Sequence, residues 1–323
     1  MNSPKIFNTK TPPMSVYITG MAGFIGFHTA LKLHEQGHKV SGCDNFNDYY
    51  DKRLKQDRAD LLGDKGIHVD FLDIYYMESE TLKDVDIVLH LAAHAGVRSS
   101  LANARDYIDT NILGTQLLID ACTEGEIPVV YASSSSVCAG NDMPFKEDST
   151  FTHHSNPYSW SKYVNECQFK HSLLPWSIGL RFFTVYGPWG RPDMALFHFA
   201  DRITEGKPIE LYNHGNMQRD FTYVDDAVEG VYIALLLCYN RQIEKHNIYN
   251  IGFGQSRSLE DYVQLLEKGL NKTAEKILVP AHEADALATW ADITKISKLG
   301  YQPTTSIEVG VRKFTEWYKE YYI

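Results

Sequence analysis

The sequence predicts an α/β protein with a doubly wound parallel sheet and a smaller, mixed α/β lobe toward the C-terminal end. From Ser15 onward, short β-branched runs alternate with segments of helical period, a pattern typical of a parallel sheet covered by helices. Several of these runs are apolar throughout, as expected for strands buried on both faces. Beyond about Gly187, turn residues mix with short strand-like and helix-like stretches, which indicates the second lobe.

The individual elements follow from these runs. Strands are expected at SVYIT, KVSGCD, IHVDFLD, DIVLHLAA, VVYASS and SIGLRFF, and helices over residues 23–36 and 107–123. Three prolines near the N-terminus favour a loose arm there. We therefore divide the chain into an arm (1–13), a large domain (14–186) and a C-terminal lobe (187–323), from which residues of about 220–252 return to the large domain.

Composition and charge narrow the function classes. The 323 residues carry a net charge of -10, which disfavours binding to nucleic acid or to anionic membranes. No apolar run approaches the about 18 residues of a membrane-spanning helix, and the N-terminus lacks the apolar core of a signal peptide. The five cysteines are scattered without a C-x-x-C pair, as expected in a reducing compartment. A cytoplasmic globular enzyme is the simplest interpretation.

The first predicted helix opens with a glycine motif that suits a dinucleotide. Gly20, Gly23 and Gly26 follow the first strand in G-x-x-G-x-x-G spacing, with Phe24 and Ile25 between the last two. A tight turn, a close backbone approach and a helix N-terminus together favour a pyrophosphate group. The alternative is a glycine turn that only packs the strand against the helix.

Polar residues at strand ends indicate which dinucleotide is preferred. Asp44 ends the second strand, where a carboxylate accepts hydrogen bonds from an adenosine ribose and repels a 2'-phosphate. NAD is therefore favoured over NADP. Asn45 follows directly, and Asp73 and Ile74 follow the third strand, where an adenine is expected. An aspartate at a strand end is also a common turn former, which leaves the assignment open.

Small residues and histidines follow the fourth strand. Leu91, Ala92 and Ala93 leave room for a cofactor against the sheet edge. The spacing of His90 and His94 straddles a strand and its exit loop, so we predict no metal site there. We predict none at the histidine pair 153–154 either.

The segment NPYSWSK carries the candidate catalytic pair. Tyr158 and Lys162 stand four residues apart, and Pro157 places them in the first turn of a helix, where they share one face. A phenol beside an ammonium group and a nicotinamide cation is expected to have a lowered pKa and to act as a base near neutral pH. The position of this pair after a strand-end serine cluster strengthens the interpretation.

These motifs carry a resemblance. From about Val16 to the C-terminus the chain resembles the extended short-chain dehydrogenase/reductase superfamily, with its Rossmann-type fold, and the NAD-dependent nucleotide-sugar epimerases within it. DNFNDYYD, ASSSSV, NPYSWSK, RFFTVYGPWGRPDMALF, YNHGNMQRDFTYVDD and ADITKISKLGYQPTTSIEVG resemble the UDP-glucuronate 4-epimerases. The resemblance implies reversible conversion of UDP-glucuronate to UDP-galacturonate for polysaccharide biosynthesis. It also implies an NAD-binding large domain, with Asn111 at the cofactor, and a lobe that mainly binds the UDP-sugar.

The resemblance also assigns the serine run. Ser134 resembles the hydroxyl member of a Ser/Thr-Tyr-Lys triad, and Ser135 and Ser136 lie over the substrate. Related sugar dehydratases carry an Asp-Glu pair at the last two positions, and uronate decarboxylases carry a glutamate at the last one. Hydroxyls at both positions lack the acid and base that elimination requires, so only hydride removal and return remain. A flexible serine linker is the alternative.

Further residues resemble contacts of the substrate. Thr184 and Arg191 are candidates for holding the uronate carboxylate, because a hydroxyl and a bidentate guanidinium suit that group. Arg219 resembles a diphosphate-binding arginine. The remaining candidates are predicted at the uracil, the nucleotide ribose or the anionic sugar: His94, Arg98, Leu196, Phe197, Tyr212 and Asp285. The arginines could instead form surface ion pairs or, for Arg191, face solvent from a loop.

The chain departs from the family pattern at Cys138-Ala139-Gly140, where Tyr-Gly is usual, and at HEADAL, where Pro-Gly-Asp is usual. Three other functions stay open. They are a 4-epimerase of another UDP-sugar (UDP-galactose or an N-acetylhexosamine uronate), a UDP-glucuronate decarboxylase, and a silent NAD-sensing or scaffolding protein on the same fold. A homodimer is implied by the resemblance, with residues 104–124 and 158–172 packing across the two-fold axis.

Overall fold

The computed structural model describes residues 12–149, 156–282 and 285–323. Residues 1–11 of the expected arm, the histidine pair 153–154 and residues 283–284 of HEADAL lie outside the described residues. Within the described ranges, no helix is both long and apolar enough to cross a membrane.

The centre of the fold is a seven-stranded sheet in which every neighbouring pair runs parallel. Its strand order is β10-β6-β5-β4-β1-β2-β3: successive strands from β1 to β3 extend the sheet to one side of β1, and those from β4 onward extend it to the other side. The carboxyl ends of parallel strands meet at one edge, where a ligand crevice forms at such a change of side. The strands are β1 Ser15–Thr19, β2 Lys39–Asp44, β3 Val69–Phe71, β4 Ile87–His90, β5 Val129–Ser134, β6 Ser177–Phe182 and β10 His246–Ile251.

The described C-terminal part adds two small sheets. One has the order β11-β9-β7 and mixes a parallel with an antiparallel pair; the other pairs β12 with β8. This confirms the predicted mixed lobe. The strands are β7 Thr184–Tyr186, β8 Ile209–Leu211, β9 Gln218–Tyr223, β11 Ser256–Ser258 and β12 Lys276–Leu278.

Helices cover both faces of the large sheet. They are α1 Phe24–Glu35, α2 Lys52–Gly63, α3 Val97–Ala102, α4 Ala104–Tyr107, α5 Thr115–Glu124, α6 Pro157–His171, α7 Ala195–Thr204, α8 Val224–Tyr239, α9 Leu259–Leu270, α10 Thr294–Ser297 and α11 Ile307–Tyr322. Alternate side chains of β1 serve the two faces: Ile18 packs in the core with α1 and α8, and Tyr17 packs in the core with α5 and α6. Short 3₁₀ helices span Ile74–Tyr76, Ser79–Leu82, Ser135–Cys138 and Tyr212–Gly215.

The predicted doubly wound sheet is confirmed, and β1, β2 and β5 have the predicted bounds. The helical segment predicted over 107–123 is confirmed, but Ile108–Gly114 within it form a π-helix between α4 and α5. In this π-helix the backbone carbonyls of Asn111 and Ile112 accept hydrogen bonds from side chains of α6, at 2.6 and 3.0 Å. The segment expected to return from the lobe contains α8 and β10, and β10 pairs with β6. The domain boundaries stay a prediction.

Candidate active site

A cavity of about 800 Å³ opens at the carboxyl edge of the large sheet, between that edge and the small sheets. The carboxyl ends of β2 and β5, the residues just after β1, β3 and β4, the start of α6 and the C-terminal lobe line it together. With the exception of Asn111, every residue predicted for the cofactor, the chemistry or the substrate lines this one cavity. The sequence motifs, which are spread over some 265 residues from Gly20 to Asp285, therefore meet at a single place.

The glycine turn closes tightly around the start of α1. Gly20 has φ +71°, and a Cβ there would lie 2.8 Å from the backbone nitrogen of Ala92. A Cβ on Gly26 would collide with the carbonyl oxygen of Gly20. Among the residues that the structure describes, no side chain caps the N-terminus of α1, and its first turn holds no acidic residue. This backbone cradle fits a diphosphate group.

The end of β2 is an organised polar corner. Asp44 Oδ1 accepts a hydrogen bond from the backbone nitrogen of Phe46 at 2.9 Å, and Asn45 Nδ2 donates to Asp73 Oδ2 at 2.7 Å. The sequence analysis missed Lys55, which is only 5% exposed and lies with its Nζ 3.6 Å from Asp44 Oδ1. Burial lowers the pKa of this lysine. Its place in α2, after the DNFNDYYD segment, was the available signal.

The two histidines near β4 have structural contacts. His90 Nδ1 lies 2.8 Å from Thr19 Oγ1, and its Nε2 lies 3.0 Å from Thr115 Oγ1. Burial lowers the pKa of His90 to about 3, so the ring is neutral and ties β4 to β1 and α5. His94 lines the cavity, and its backbone is fixed by the side chain of Asn111.

The predicted role of Asn111 needs a correction. The side chain is fully buried and does not line the cavity, because it is used by other protein groups. Its amide oxygen accepts from the His94 nitrogen at 2.8 Å, and its Nδ2 donates to the His94 carbonyl and to Ser161 Oγ, both at 3.0 Å. Asn111 thus positions the β4 exit loop against α6. Sequence spacing gave no signal for this contact.

The catalytic pair stands at the start of α6. Asn156 caps this helix by accepting from the Ser159 nitrogen at 2.8 Å, and Pro157 is its first residue. Lys162 Nζ donates to the Ala132 carbonyl on β5 at 3.0 Å, and burial lowers the pKa of Lys162 to about 8. Burial raises the pKa of Tyr158, while a hydrogen bond with Ser134 acts in the opposite direction. The lowered phenol pKa expected from the sequence is therefore not produced by the protein groups themselves.

The serines of the run at the end of β5 have two kinds of contact: all of them line the cavity, and one also bonds to a buried glutamate. Ser134 is the last residue of the strand, and the 3₁₀ helix that follows carries Ser135 and Ser136 into the cavity. Ser136 Oγ donates to Ser134 Oγ at 2.9 Å, and Ser134 in turn hydrogen-bonds with Tyr158. Ser133 donates to buried Glu166 at 2.6 Å. The run is an ordered hydroxyl row, which excludes the flexible-linker alternative.

A buried ion pair supports this row from beneath. Arg181 Nε and Nη2 donate to the two carboxylate oxygens of Glu166 at 2.8 and 2.9 Å. Arg181 Nη1 also contacts Cys138 Sγ at 3.3 Å, so the residue that departs from the family pattern packs against this pair. Arg181 and Glu166 are 4% and 5% exposed. The sequence analysis missed them because 15 residues separate the two partners.

The loop between β7 and α7 brings Arg191 into the cavity beside Thr184. Arg58 of α2, fully buried, donates to the carbonyls of Trp189 at 2.6 Å and Gly190 at 3.1 Å. Arg191 does not face solvent freely, because both nitrogens of its fork donate to the carboxylate of Asp193, with Nε at 3.0 Å from Oδ1. Asp193 was missed, although it stands two residues away in RPD.

The candidates for the nucleotide end lie in the lobe and on α3. Arg98 donates to both carboxylate oxygens of Asp285, at 3.3 and 2.5 Å, and its guanidinium lies 3.9 Å from the ring centroid of Tyr212. Burial lowers the pKa of Arg219, whose Nη1 donates to the Gln218 carbonyl at 2.8 Å. Leu196 and Phe197 are buried on α7. The surface ion-pair alternative thus holds in part for Arg98, which is 42% exposed.

A doubly wound sheet with a glycine turn before α1, and with Ser134, Tyr158 and Lys162 in one cavity, defines an enzyme of the extended short-chain dehydrogenase/reductase type. The chain belongs to the NAD dependent epimerase/dehydratase family, whose model matches residues 16–252. This confirms the superfamily that the sequence motifs indicated.

Individual relatives show which members of this family the chain is similar to. The chain is 39% identical over 332 residues to the protein CapI of Staphylococcus aureus, which covers 96% of this chain and 99% of the relative. It is 38% identical to UDP-glucuronate 4-epimerase 4 of Arabidopsis thaliana, covering 99% of this chain and 79% of the relative. A solved structure of UDP-glucuronic acid 4-epimerase from Bacillus cereus, in complex with UDP-glucuronic acid and NAD, is 32% identical with a TM-score of 0.87 and covers 96% of this chain and 100% of that one.

Proposed function

We propose that the protein interconverts UDP-glucuronate and UDP-galacturonate by transient oxidation at C4, with NAD as a bound cofactor. The observation that carries the proposal is the all-hydroxyl row Ser134–Ser136, which meets Tyr158 in the same cavity as Arg191 and Thr184. Membership of the NAD dependent epimerase/dehydratase family and the similarity to UDP-glucuronate 4-epimerases support it.

The chain's own groups suit NAD. The glycine turn and the free N-terminus of α1 would hold the diphosphate, and Asp44 would accept hydrogen bonds from the adenosine ribose. Lys162, which lines the cavity and donates to the Ala132 carbonyl, would hold the nicotinamide ribose. When bound, NAD accepts the C4 hydride of the sugar and gives it back.

Tyr158 takes the proton from the sugar 4-hydroxyl, and the serine row assists it. Ser134 hydrogen-bonds with Tyr158 and lowers its pKa, and Ser136 donates to Ser134 in turn. Each hydroxyl in this serine row can pass a proton to its neighbour or help to stabilise the phenolate of Tyr158. Burial opposes the phenolate, so positive charge from Lys162 and from the bound cofactor is needed before Tyr158 acts as a base.

Arg191 and Thr184 would hold the carboxylate of the oxidised sugar in a fixed orientation. A 4-keto uronate is a β-keto acid and loses carbon dioxide when its carboxylate aligns with the carbonyl orbitals. A guanidinium fork fixes a carboxylate in one plane, which keeps it out of that alignment. The 4-keto sugar would then present its other face to the cofactor, the hydride would return to C4, and Tyr158 would give its proton back to the C4 oxygen to form the epimer.

The assembly and location also form part of the proposal. Exposed apolar side chains on the π-helix and α6 favour a homodimer packed through residues 104–124 and 158–172; they are Ile108, Leu113 and Tyr163. All five cysteines are free, which agrees with a reducing, cytoplasmic setting for polysaccharide precursor synthesis. The division into an NAD-binding part (14–186) and a mainly UDP-sugar-binding part (187–323) is also proposed, and both parts contribute residues to the cavity.

The test is purified holoenzyme with UDP-glucuronate and no added reductant, followed by separation of the sugar nucleotides and a carbon dioxide assay. UDP-galacturonate that rises toward an equilibrium mixture, without gas, is the expected result. UDP-pentose with carbon dioxide would identify a decarboxylase. Conversion of UDP-glucose or an N-acetylated sugar instead would identify another 4-epimerase, and NAD binding without turnover would identify a silent protein.

A further inference from the structure

The guanidinium that the proposed function assigns to the substrate already holds a carboxylate of the chain. Arg191 grips Asp193 with both arms of its fork, Nε to Oδ1 at 3.0 Å and Nη2 to Oδ2. The side chains are only 23% and 25% exposed, and both line the cavity. A two-armed pair of this kind has the same geometry that a uronate carboxylate would adopt on Arg191.

The Asp193 carboxylate also has a second partner that would hold it in the absence of Arg191. The Tyr49 hydroxyl donates to Asp193 Oδ2 at 3.1 Å and lies 3.0 Å from Ser99 Oγ. Space for this hydroxyl is built into the chain, because Gly96 has φ +100° and any Cβ there would collide with Tyr49. Asp193 can therefore release Arg191 and keep a hydrogen bond.

Asp193 and Arg191 are also close enough to influence the chemistry. Arg191 lowers the pKa of Tyr158 and Asp193 raises it, after the larger effect of burial. For Asp193 itself, burial acts to raise the pKa, but Arg191 and Tyr49 outweigh it and hold the pKa below its ordinary value. The aspartate is thus charged near neutral pH, so it competes with an anionic substrate group for the same arginine.

We propose that Asp193 is an internal competitor for Arg191: its carboxylate holds the guanidinium in the free enzyme, gives it up to the carboxylate of the bound uronate, and takes it back when the product leaves. The inference rests on the proposed function. It gives the site two advantages. A neutral sugar cannot displace a carboxylate from the fork, and the substrate carboxylate can leave Arg191 without stranding a half-buried cation.

Competition and simple positioning predict opposite changes in the affinity for UDP-glucuronate when Asp193 is replaced. If Asp193 competes, Asp193→Asn removes the rival charge and UDP-glucuronate binds more tightly; if Asp193 only orients Arg191, the same change weakens binding. Tighter binding of the sugar nucleotide also slows release of the product, so competition predicts a fall in both KM and kcat. Positioning predicts a rise in KM.

The binding experiment uses NAD-loaded enzyme with Tyr158→Phe in every protein, so that no turnover occurs during calorimetric titration. We expect Asp193→Asn to bind UDP-glucuronate about 3- to 10-fold more tightly, the range of a partly exposed ion pair. UDP-glucose carries the same diphosphate without the carboxylate, and its affinity should change by less than about 2-fold. Asp193→Glu keeps the charge and should lie closer to the parent. Thermal unfolding checks that each variant folds.

Three results would overturn the inference. Weaker or unchanged binding of UDP-glucuronate by Asp193→Asn would make Asp193 a positioning residue. Equal tightening of both sugar nucleotides would make it a source of general repulsion toward the diphosphate. A parent enzyme, with Tyr158 intact, that neither binds nor converts UDP-glucuronate would overturn the proposed function and this inference together, whereas normal conversion with either of the first two results would remove this inference alone.

Discussion

The two sides of the cavity are held by different kinds of contact. On the sheet side, the catalytic groups are fixed by buried bonds between residues that stay in place, such as Lys162 to Ala132 and Ser133 to Glu166. On the lobe side, Arg98 and Arg191 are each held by an aspartate in a partly exposed ion pair. The catalytic groups are therefore preorganised, whereas the anion-binding arginines can exchange one carboxylate for another. This combination suits an enzyme that must bind an anionic sugar nucleotide and release it again.

The largest effect should come from the fixed side. Tyr158→Phe removes the proposed base, so we expect epimerisation to fall by about 10³-fold with NAD still bound, the scale of a lost general base. Initial rates with UDP-glucuronate measure it. The matched control is Tyr163→Phe, because it removes a phenol hydroxyl from the same helix at a position that does not line the cavity. Activity of Tyr158→Phe within about 10-fold of the parent would contradict the assignment.

The next effect is on stability. Glu166→Gln leaves the buried Arg181 guanidinium without its carboxylate, and a broken buried pair costs about 3–5 kcal/mol in the free energy of unfolding. Denaturant titration measures it. The matched control is Glu316→Gln, which breaks the Arg312–Glu316 pair, whose side chains are 66% and 69% exposed; it should cost less than about 1 kcal/mol. Equal costs for the two changes would show that the sheet side is not the more rigid one.

A smaller effect is expected on the free energy of unfolding at acid pH, because histidines are buried in the large sheet and its helices. Burial lowers the pKa of His90 to about 3 and that of His28 and His246 to about 4. Below about pH 6.5 the unfolded chain binds protons that the folded chain refuses, so the free energy of unfolding falls as pH falls. Asp220 opposes this in part, because burial raises its pKa to about 6 and it binds a proton when folded.

His90→Gln isolates one of these groups. Between pH 6.5 and 5 a single such histidine contributes at most about 2 kcal/mol of pH dependence. We expect the variant to lose stability less steeply with acidification than the parent does, whatever its stability at neutral pH. Parallel curves of unfolding free energy against pH would show that His90 takes up a proton in the folded state.

The smallest effect is expected on the exchangeable side. Arg98→Ala removes a cation that is 42% exposed and already paired with Asp285. We expect a rise in KM for the sugar nucleotide of about 3- to 10-fold with kcat unchanged, the pattern of a contact made equally in ground and transition states. Steady-state kinetics measure it. A fall in kcat without a change in KM would place Arg98 on the catalytic side instead.

Much of the fold was predictable because its signals are local. The bounds of β1, β2 and β5, the glycine turn and the first turn of α6 all follow from neighbouring residues. What was missed depends on distant partners. The backbone carbonyls of the π-helix bond to side chains of α6, and the support under the serine row needs Glu166 and Arg181 to meet. The Asp193 pair was near in sequence, but only the folded loop shows both oxygens on one fork.

The most direct test of the account follows the hydrogen at C4. Holoenzyme is incubated with UDP-glucuronate that carries deuterium at C4, in ordinary water, and the UDP-galacturonate is examined by mass spectrometry and by NMR. A fixed catalytic edge that removes a hydride and returns it to the turned sugar predicts that the product keeps its deuterium at C4. Loss of the label to water would contradict the account, because the hydrogen would then have left as a proton.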